Sequence, residues 1–146
     1  MPIAADRLHQ IAAELASRSG HGKVRALVHE LLVLGVGIPS QEIRLEEPLW
    51  EVRGRADALL GRTVIEVKSD LRSESADAEE KLLRSMGDRE RAMGTPFVGI
   101  ATDGRDFVPY KIRNGALRRL AAYSTTTSDP GGLLHWLSAA VARTGL

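Results

Sequence analysis

The seven residues Pro96–Thr102, PFVGIAT, carry no charge and run straight into the turn-like DGRD. So short and apolar a run reads as a strand buried on both faces, a position found only inside a sheet covered above and below. The rest of the chain must then supply helices for cover, and its periodicity does. Ala4, Leu8, Ile11, Ala12 and Leu15 share one helical stripe over residues 4–16, which SRSGHG interrupts. Val24, Leu27, Val28 and Leu31 predict a second helix from Lys23 to Leu34, stopped by GVGIPS. That GVG follows a helix and lacks the third glycine of a dinucleotide loop, so it reads as a helix cap.

Strand-like segments follow at 42–45, 52–60 and 63–68. Residues 74–92 are highly charged, and their apolar Ala76, Leu82, Leu83 and Met86 predict a partly exposed helix. Beyond the apolar strand, FVPYKI and Leu117–Leu120 flank RNGA, whose Asn-Gly is a strong hairpin signal. The polar STTTSD leads to a last helix, capped by Asp129, opened by Pro130 and carrying Leu133, Leu134, Leu137 and Val141. The order α-α-β-β-β-α-β-β-β-α predicts an α/β fold, a mixed β-sheet flanked by α-helices. Its 146 residues suit one domain, residues 1–146, with 1–20 as an N-terminal helical extension.

The chain has no cysteine, which removes disulfides, thiolate zinc sites and cysteine nucleophiles and fits a reducing cytoplasm. No apolar run reaches the length of a membrane span, and MPIAADRLHQ lacks the basic start and apolar stretch of a signal peptide. A cytoplasmic location with no membrane contact is expected. The net charge is +1. Any grip on nucleic acid must then be local or assisted by another domain. His9, His21, His29 and His135 form no HxH or HExxH pattern, and no serine sits in a GxSxG elbow.

The segment GRADALLGRTVIEVK, residues 54–68, places charges among apolar neighbours. Gly61-Arg62 suits a two-residue type II′ hairpin loop. That register puts Asp57 directly opposite Glu66, with Cβ atoms roughly 4.5–5.5 Å apart. Lys68 then shares their face, while Ala58, Ile65 and Val67 point the other way. Two facing carboxylates must share a proton, be neutralised by a base, or hold a cation. Asp and Glu oxygens, a backbone carbonyl such as that of Val67, and waters form a donor set that Mg²⁺ prefers. Lys68 could hold a nucleophilic water or transition-state charge beside it. The competing reading is a solvated cluster in which Asp57 and Glu66 pair with Arg55, Arg62 and Lys68.

Asp57 followed by EVK (Glu66-Val67-Lys68) on an adjoining strand resembles the PD-(D/E)xK nuclease superfamily. The segments GRAD, EVKSDLR and PFVGIATDGRDFVPYKI are similar to the N-terminal nuclease domain of restriction enzymes fused to an adenine methyltransferase. A related nuclease domain occurs in the type I restriction subunit. The likeness runs from about Lys23 to the final helix. It implies a restriction-endonuclease-like sheet and a Mg²⁺-dependent DNA endonuclease, Mn²⁺ substituting, in a restriction system. Asp57, Glu66 and the Val67 carbonyl would bind the metal, and Lys68 would assist the attacking water. The partners implied are DNA and a specificity or methyltransferase domain or subunit, with a homodimer as one candidate assembly.

The departures are specific. The proline of the family name is Ala56. The nearest acid to the one many relatives carry in the first core helix is Glu30, which reads as a third metal carboxylate or as a surface charge. Lys81 and Ser85 stand where relatives show a glutamine and an aromatic residue. Arg53, Arg55, Arg72 and Arg105, with Lys111 and Arg113, are candidates for phosphate contact, each also readable as a surface charge. ATDGRD reads as a turn rather than a second metal site, and Trp136 as core. Besides the endonuclease, a catalytically weak nuclease-fold module that binds DNA or docks a partner fits the same residues. Two facing carboxylates beside a polyanion favour the enzyme, since a pure binder gains nothing from them.

Overall fold

The computed structural model describes residues 3–38, 43–45, 49–52, 62–126 and 130–141. Helices α1 (Ala5–Ala16) and α2 (His21–Glu30) open the chain. The second continues into a π-helical turn, Leu31–Val36, ended by Gly37 in the left-handed region at φ 89°. Gly37 thus caps the helix, as the sequence implied. Strands β1 (Ile43–Leu45), β2 (Leu49–Val52) and β3 (Arg62–Val67) form an antiparallel meander. Helix α3 (Leu71–Met93) then crosses to β4 (Phe97–Thr102), which pairs parallel to β3. Antiparallel β5 (Asp106–Arg113), β6 (Ala116–Arg119) and β7 (Tyr123–Ser124) follow, and α4 (Pro130–Val141) ends the order. The sheet runs β1-β2-β3-β4-β5-β6, with β7 also paired to β5.

Every residue of β4 is buried, because the strand has helices on both sides. One layer sets Ile11, Leu15, Val24, Val28, Leu133 and Leu137 against Ile65, Val67, Val98, Ile100 and Phe107. Ile11 and Leu15, in the segment read as an extension, are wholly buried there. Trp136 packs in the same layer, its ring 5.8 Å from Phe107 and 5.9 Å from Tyr123. In the other layer Leu71, Ala78, Leu82 and Met86 of α3 cover Val64, Phe97, Ala101, Val108 and Tyr110. Leu83 is exposed instead, and so is Ala76, because the buried stripe runs 71, 78, 82, 86.

The structure corrects the predicted hairpin. Thr63 pairs with Val52 rather than with Leu60, and Glu66 pairs with Leu49. Leu49, not Asp57, is therefore the residue opposite Glu66. Asp57, Ala58, Arg53 and Arg55 fall in the 53–61 connection, outside the described residues. The physical reason lies in β3, which is buried from Thr63 onward. The predicted register would set a second acid, Asp57, directly against the wholly buried Glu66, whereas the register that forms sets Leu49 there. Helix α3 also begins at Leu71 rather than 74, because Asp70 caps it.

Candidate functional site

Along β3 the side chains alternate: Ile65 and Val67 enter the layer of α1, α2 and α4, while Val64 enters the α3 layer. Glu66 has the parity of Val64, so it lies beneath α3. Its exposure is 0%, and neither carboxylate oxygen has a hydrogen-bond partner among the described residues. Its nearest cation is Lys68, with Nζ 3.3 Å from Glu66 Oε1. Lys68, just past the strand end, is itself only 8% exposed.

Helix α3 supplies the rest. Asp77 pairs with Lys68 Nζ, and Lys81, one turn on, places its Nζ 3.4 Å from the same Asp77 oxygen. Glu66, Lys68, Asp77 and Lys81 thus form a chain of alternating charge from the buried sheet to the half-exposed helix surface. Asp77 is the member that sequence reading missed. Its one sequence signal, the spacing of four to Lys81 on a predicted helix, is shared by other charges on α3 and did not single it out.

The placement of α3 depends on its first turn. The Asp70 carboxylate accepts from the Arg72 N–H at 2.9 Å, and Glu74 Oε1 accepts from the Asp70 and Ser69 N–H groups at 2.9 and 3.1 Å. Asp103, wholly buried after β4, clamps the same end. Its Oδ2 accepts from the Leu71 N–H at 2.9 Å and from Arg18 Nε at 2.8 Å. Its Oδ1 accepts from the Arg105 and Asp106 N–H groups, both at 3.0 Å. DGRD is therefore a turn built on Asp103, as the sequence suggested.

The electrostatics follow the geometry. Burial raises the Glu66 pKa above the ordinary carboxylate value, against the opposing pull of Lys68. Burial lowers that of Lys68, but its ion pairs with Asp77 and Glu66 outweigh this and the net shift is upward. Asp77 is shifted down, chiefly by its bond to Lys68. A buried carboxylate whose partner among the described residues is a single ammonium is a poor structural element, since an apolar residue of similar size would avoid the desolvation. It is a suitable donor for a hard cation.

The other predicted residues divide clearly. Among the described residues no three His, Cys, Asp or Glu side chains converge on a metal-sized site. Glu66 and Asp77 flank Lys68, Val67 separates Glu66 from Lys68 on the chain, and Asp57 lies outside the described residues. Glu30 is not brought to this cluster: Arg7 Nη2 and Nε hold its two oxygens at 2.6 and 2.7 Å, and α2 packs on the opposite face of the sheet. That bond to Arg7 lowers the Glu30 pKa. Arg72 is exposed and held by Asp70, with Nη2 2.7 Å from Oδ2, and Arg105 is exposed beside the Asp103 turn. Ser85 is buried on α3 and bonded to Arg89, one turn beyond Lys81. Among the described residues no helix is long and apolar enough to cross a membrane. No family model, curated protein or solved structure matches this chain.

Proposed function

We propose that this chain is a Mg²⁺-dependent DNA endonuclease domain of restriction-endonuclease-like fold, the cleavage module of a restriction-modification type system. The observation that carries the reading is Glu66: a carboxylate wholly buried in a central strand, its oxygens without a hydrogen bond among the described residues and Oε1 in a 3.3 Å ion pair with a nearly buried lysine. Hard oxygen donors left without hydrogen bonds fit Mg²⁺ or Mn²⁺. Glu66 and Asp57 would hold the ion with the Val67 carbonyl, and bound there it would supply charge neutralisation and a more acidic water. Lys68 holds the attacking water or the charge developing on phosphate. Asp77 keeps the Lys68 ammonium protonated and aimed. Water then forms one P–O bond as the ester P–O bond breaks, leaving a phosphate end and a hydroxyl end. Target choice belongs to a specificity or methyltransferase domain or subunit, with DNA the substrate and a homodimer one assembly that places two such sites on a duplex.

The closed ion-pair chain Glu66–Lys68–Asp77–Lys81 favours a second reading, a nuclease-fold module that binds DNA or docks a partner without cutting it. Plasmid nicking separates the two. Lys68→Ala should lower Mg²⁺-dependent nicking by orders of magnitude with little change in DNA affinity, and Asp57→Asn should abolish nicking. Parent and variants that all bind and never nick would establish the module. Variants that nick like the parent would remove Asp57 and Lys68 from the mechanism.

A further inference from the structure

Between Asp106 and Asp129 the chain has no acidic residue, yet it carries Lys111, Arg113, Arg118 and Arg119. The whole protein is only +1, so the other 124 residues together carry a net charge of −3. The four cations sit on the β5–β6 hairpin, tightened by Asn114 and Gly115 at φ 53° and 76°. Tyr110 pairs with Arg119 and Ile112 with Leu117, and that face turns toward α3. Lys111 pairs directly with Arg118, and Arg113 follows on the same side, so three cations share the opposite face. Arg113 and Arg118 are exposed and Lys111 is half-buried, and no salt bridge joins any of the three to an acid among the described residues.

This arrangement works against the fold. Like charges directly across a β-ladder repel, and nothing in the hairpin offsets them. Charge on an edge strand does guard against edge-to-edge pairing, but either sign does that and a facing like-charge pair is not needed. A polyanion would convert the repulsion into attraction. Residues two apart on a strand advance about 6.8 Å, and two nucleotides of one DNA strand advance about 6.8 Å along the duplex axis. Arginine forks match phosphate oxygens.

We infer that the Lys111–Arg113–Arg118 face of the β5–β6 hairpin is a sequence-independent docking surface for the phosphate backbone of duplex DNA, separate from Glu66 and on the opposite face of the sheet. It rests on the reading that DNA is the substrate, but not on cutting.

The test is fluorescence anisotropy with a labelled 30-base-pair duplex of arbitrary sequence, titrated in KCl with EDTA present so that no cleavage occurs. Three phosphate contacts contribute about 2.7 to the slope of log K against log salt, on the order of 10²-fold in affinity at 0.1 M. The triple variant K111Q/R113Q/R118Q should lose that slope and affinity. The charge-matched control K23Q/R84Q/R91Q removes exposed cations already paired with Glu14, Glu80 and Asp88 and should change little. Arg113→Gln alone, at an exposed position, should lower the slope by about 1 and covers the case of a misfolded triple variant. Equal slopes in parent and variants, equal losses in the control, or a parent that ignores the duplex but floats with phosphatidylserine vesicles would each overturn the inference. A parent that cuts normally while the hairpin variants bind normally sinks this surface and leaves the nuclease reading intact. Hairpin-dependent binding without Mg²⁺-dependent nicking does the reverse.

Discussion

Replacing Asp103 should unfasten α3 and, with it, the cluster around Lys68. In Asp103→Ala the buried Leu71 N–H loses its acceptor, Arg18 loses its 2.8 Å partner, and the Arg105 and Asp106 N–H groups lose theirs. An unsatisfied buried N–H costs about 1–3 kcal/mol, and breaking a buried ion pair about 3–5 kcal/mol. Arg18 keeps weaker partners in Asp70 at 3.7 Å and Asp106 at 3.9 Å, which softens the second figure. Water can reach the two turn amides. The net expectation is a loss of about 4 kcal/mol, a fall in Tm on the order of 12 °C for a domain of this size. Asp103→Asn keeps one oxygen but turns an NH₂ toward a donor, so its loss should be about half as large. Urea unfolding followed by circular dichroism at 222 nm measures both. Asp106→Asn, touching Arg18 only at 3.9 Å, is the control and should cost less than about 0.5 kcal/mol. A loss below about 1 kcal/mol for Asp103→Ala would refute the clamp and the claim that it positions Asp77 and Lys81.

Glu66→Gln should stabilise the protein at neutral pH while removing its response to divalent ions. Because burial raises the Glu66 pKa, the folded state holds this proton more tightly than the unfolded state. Parent stability should therefore fall as pH rises from the ordinary glutamate value through the raised one, a slope that urea midpoints between pH 4 and 8 would find flattened in the variant. Gly99→Ala would set a Cβ 2.4 Å from Met86 Sδ and 3.2 Å from Leu82 Cδ2, an overpacking loss of about 1–3 kcal/mol. Thermal melts of the double variant Gly99→Ala/Met86→Ala should show less than the summed losses, and full additivity would argue against that contact. Nicking should require Mg²⁺ or Mn²⁺ and be suppressed by Ca²⁺, whose looser shell occupies carboxylates without tight octahedral geometry. Nicking that survives EDTA would exclude a metal mechanism.

Much of the architecture was legible because burial repeats with a short period. The uncharged run at 97–102 required two covering layers, and the stripes Leu8-Ile11-Leu15 and Val24-Leu27-Val28-Leu31 supplied one of them. Asn114-Gly115 marked its hairpin because few other pairs tolerate two consecutive left-handed residues. The register of β2 on β3 was not legible. Gly61-Arg62 is an acceptable turn locally, but the register that forms sets Leu49 rather than a second acid against the buried Glu66. At the site, Glu66 and Lys68 stood out as charges together on one face of an otherwise apolar strand, opposite Ile65 and Val67. Asp77 did not, since one acid on a helix as charged as α3 looks like surface until the fold sets it over Lys68.

The parallel β3–β4 pairing also governs the order of assembly. Gly99 meets Tyr110 across eleven positions and Arg113 meets Ala116 across three, but Arg62 meets Phe97 across thirty-five. Closing the larger loop loses more chain entropy, so the β4–β5–β6 meander can form while β3 is still elsewhere. Until β3 docks, the outer edge of FVGIAT presents unpaired backbone groups on a segment with no charge and no proline, the composition that self-associates most readily. The interval between meander formation and β3 docking is therefore the vulnerable one. Refolding yield should drop with protein concentration even for variants whose native stability is unchanged, and whatever slows the folding of α3 should deepen that drop.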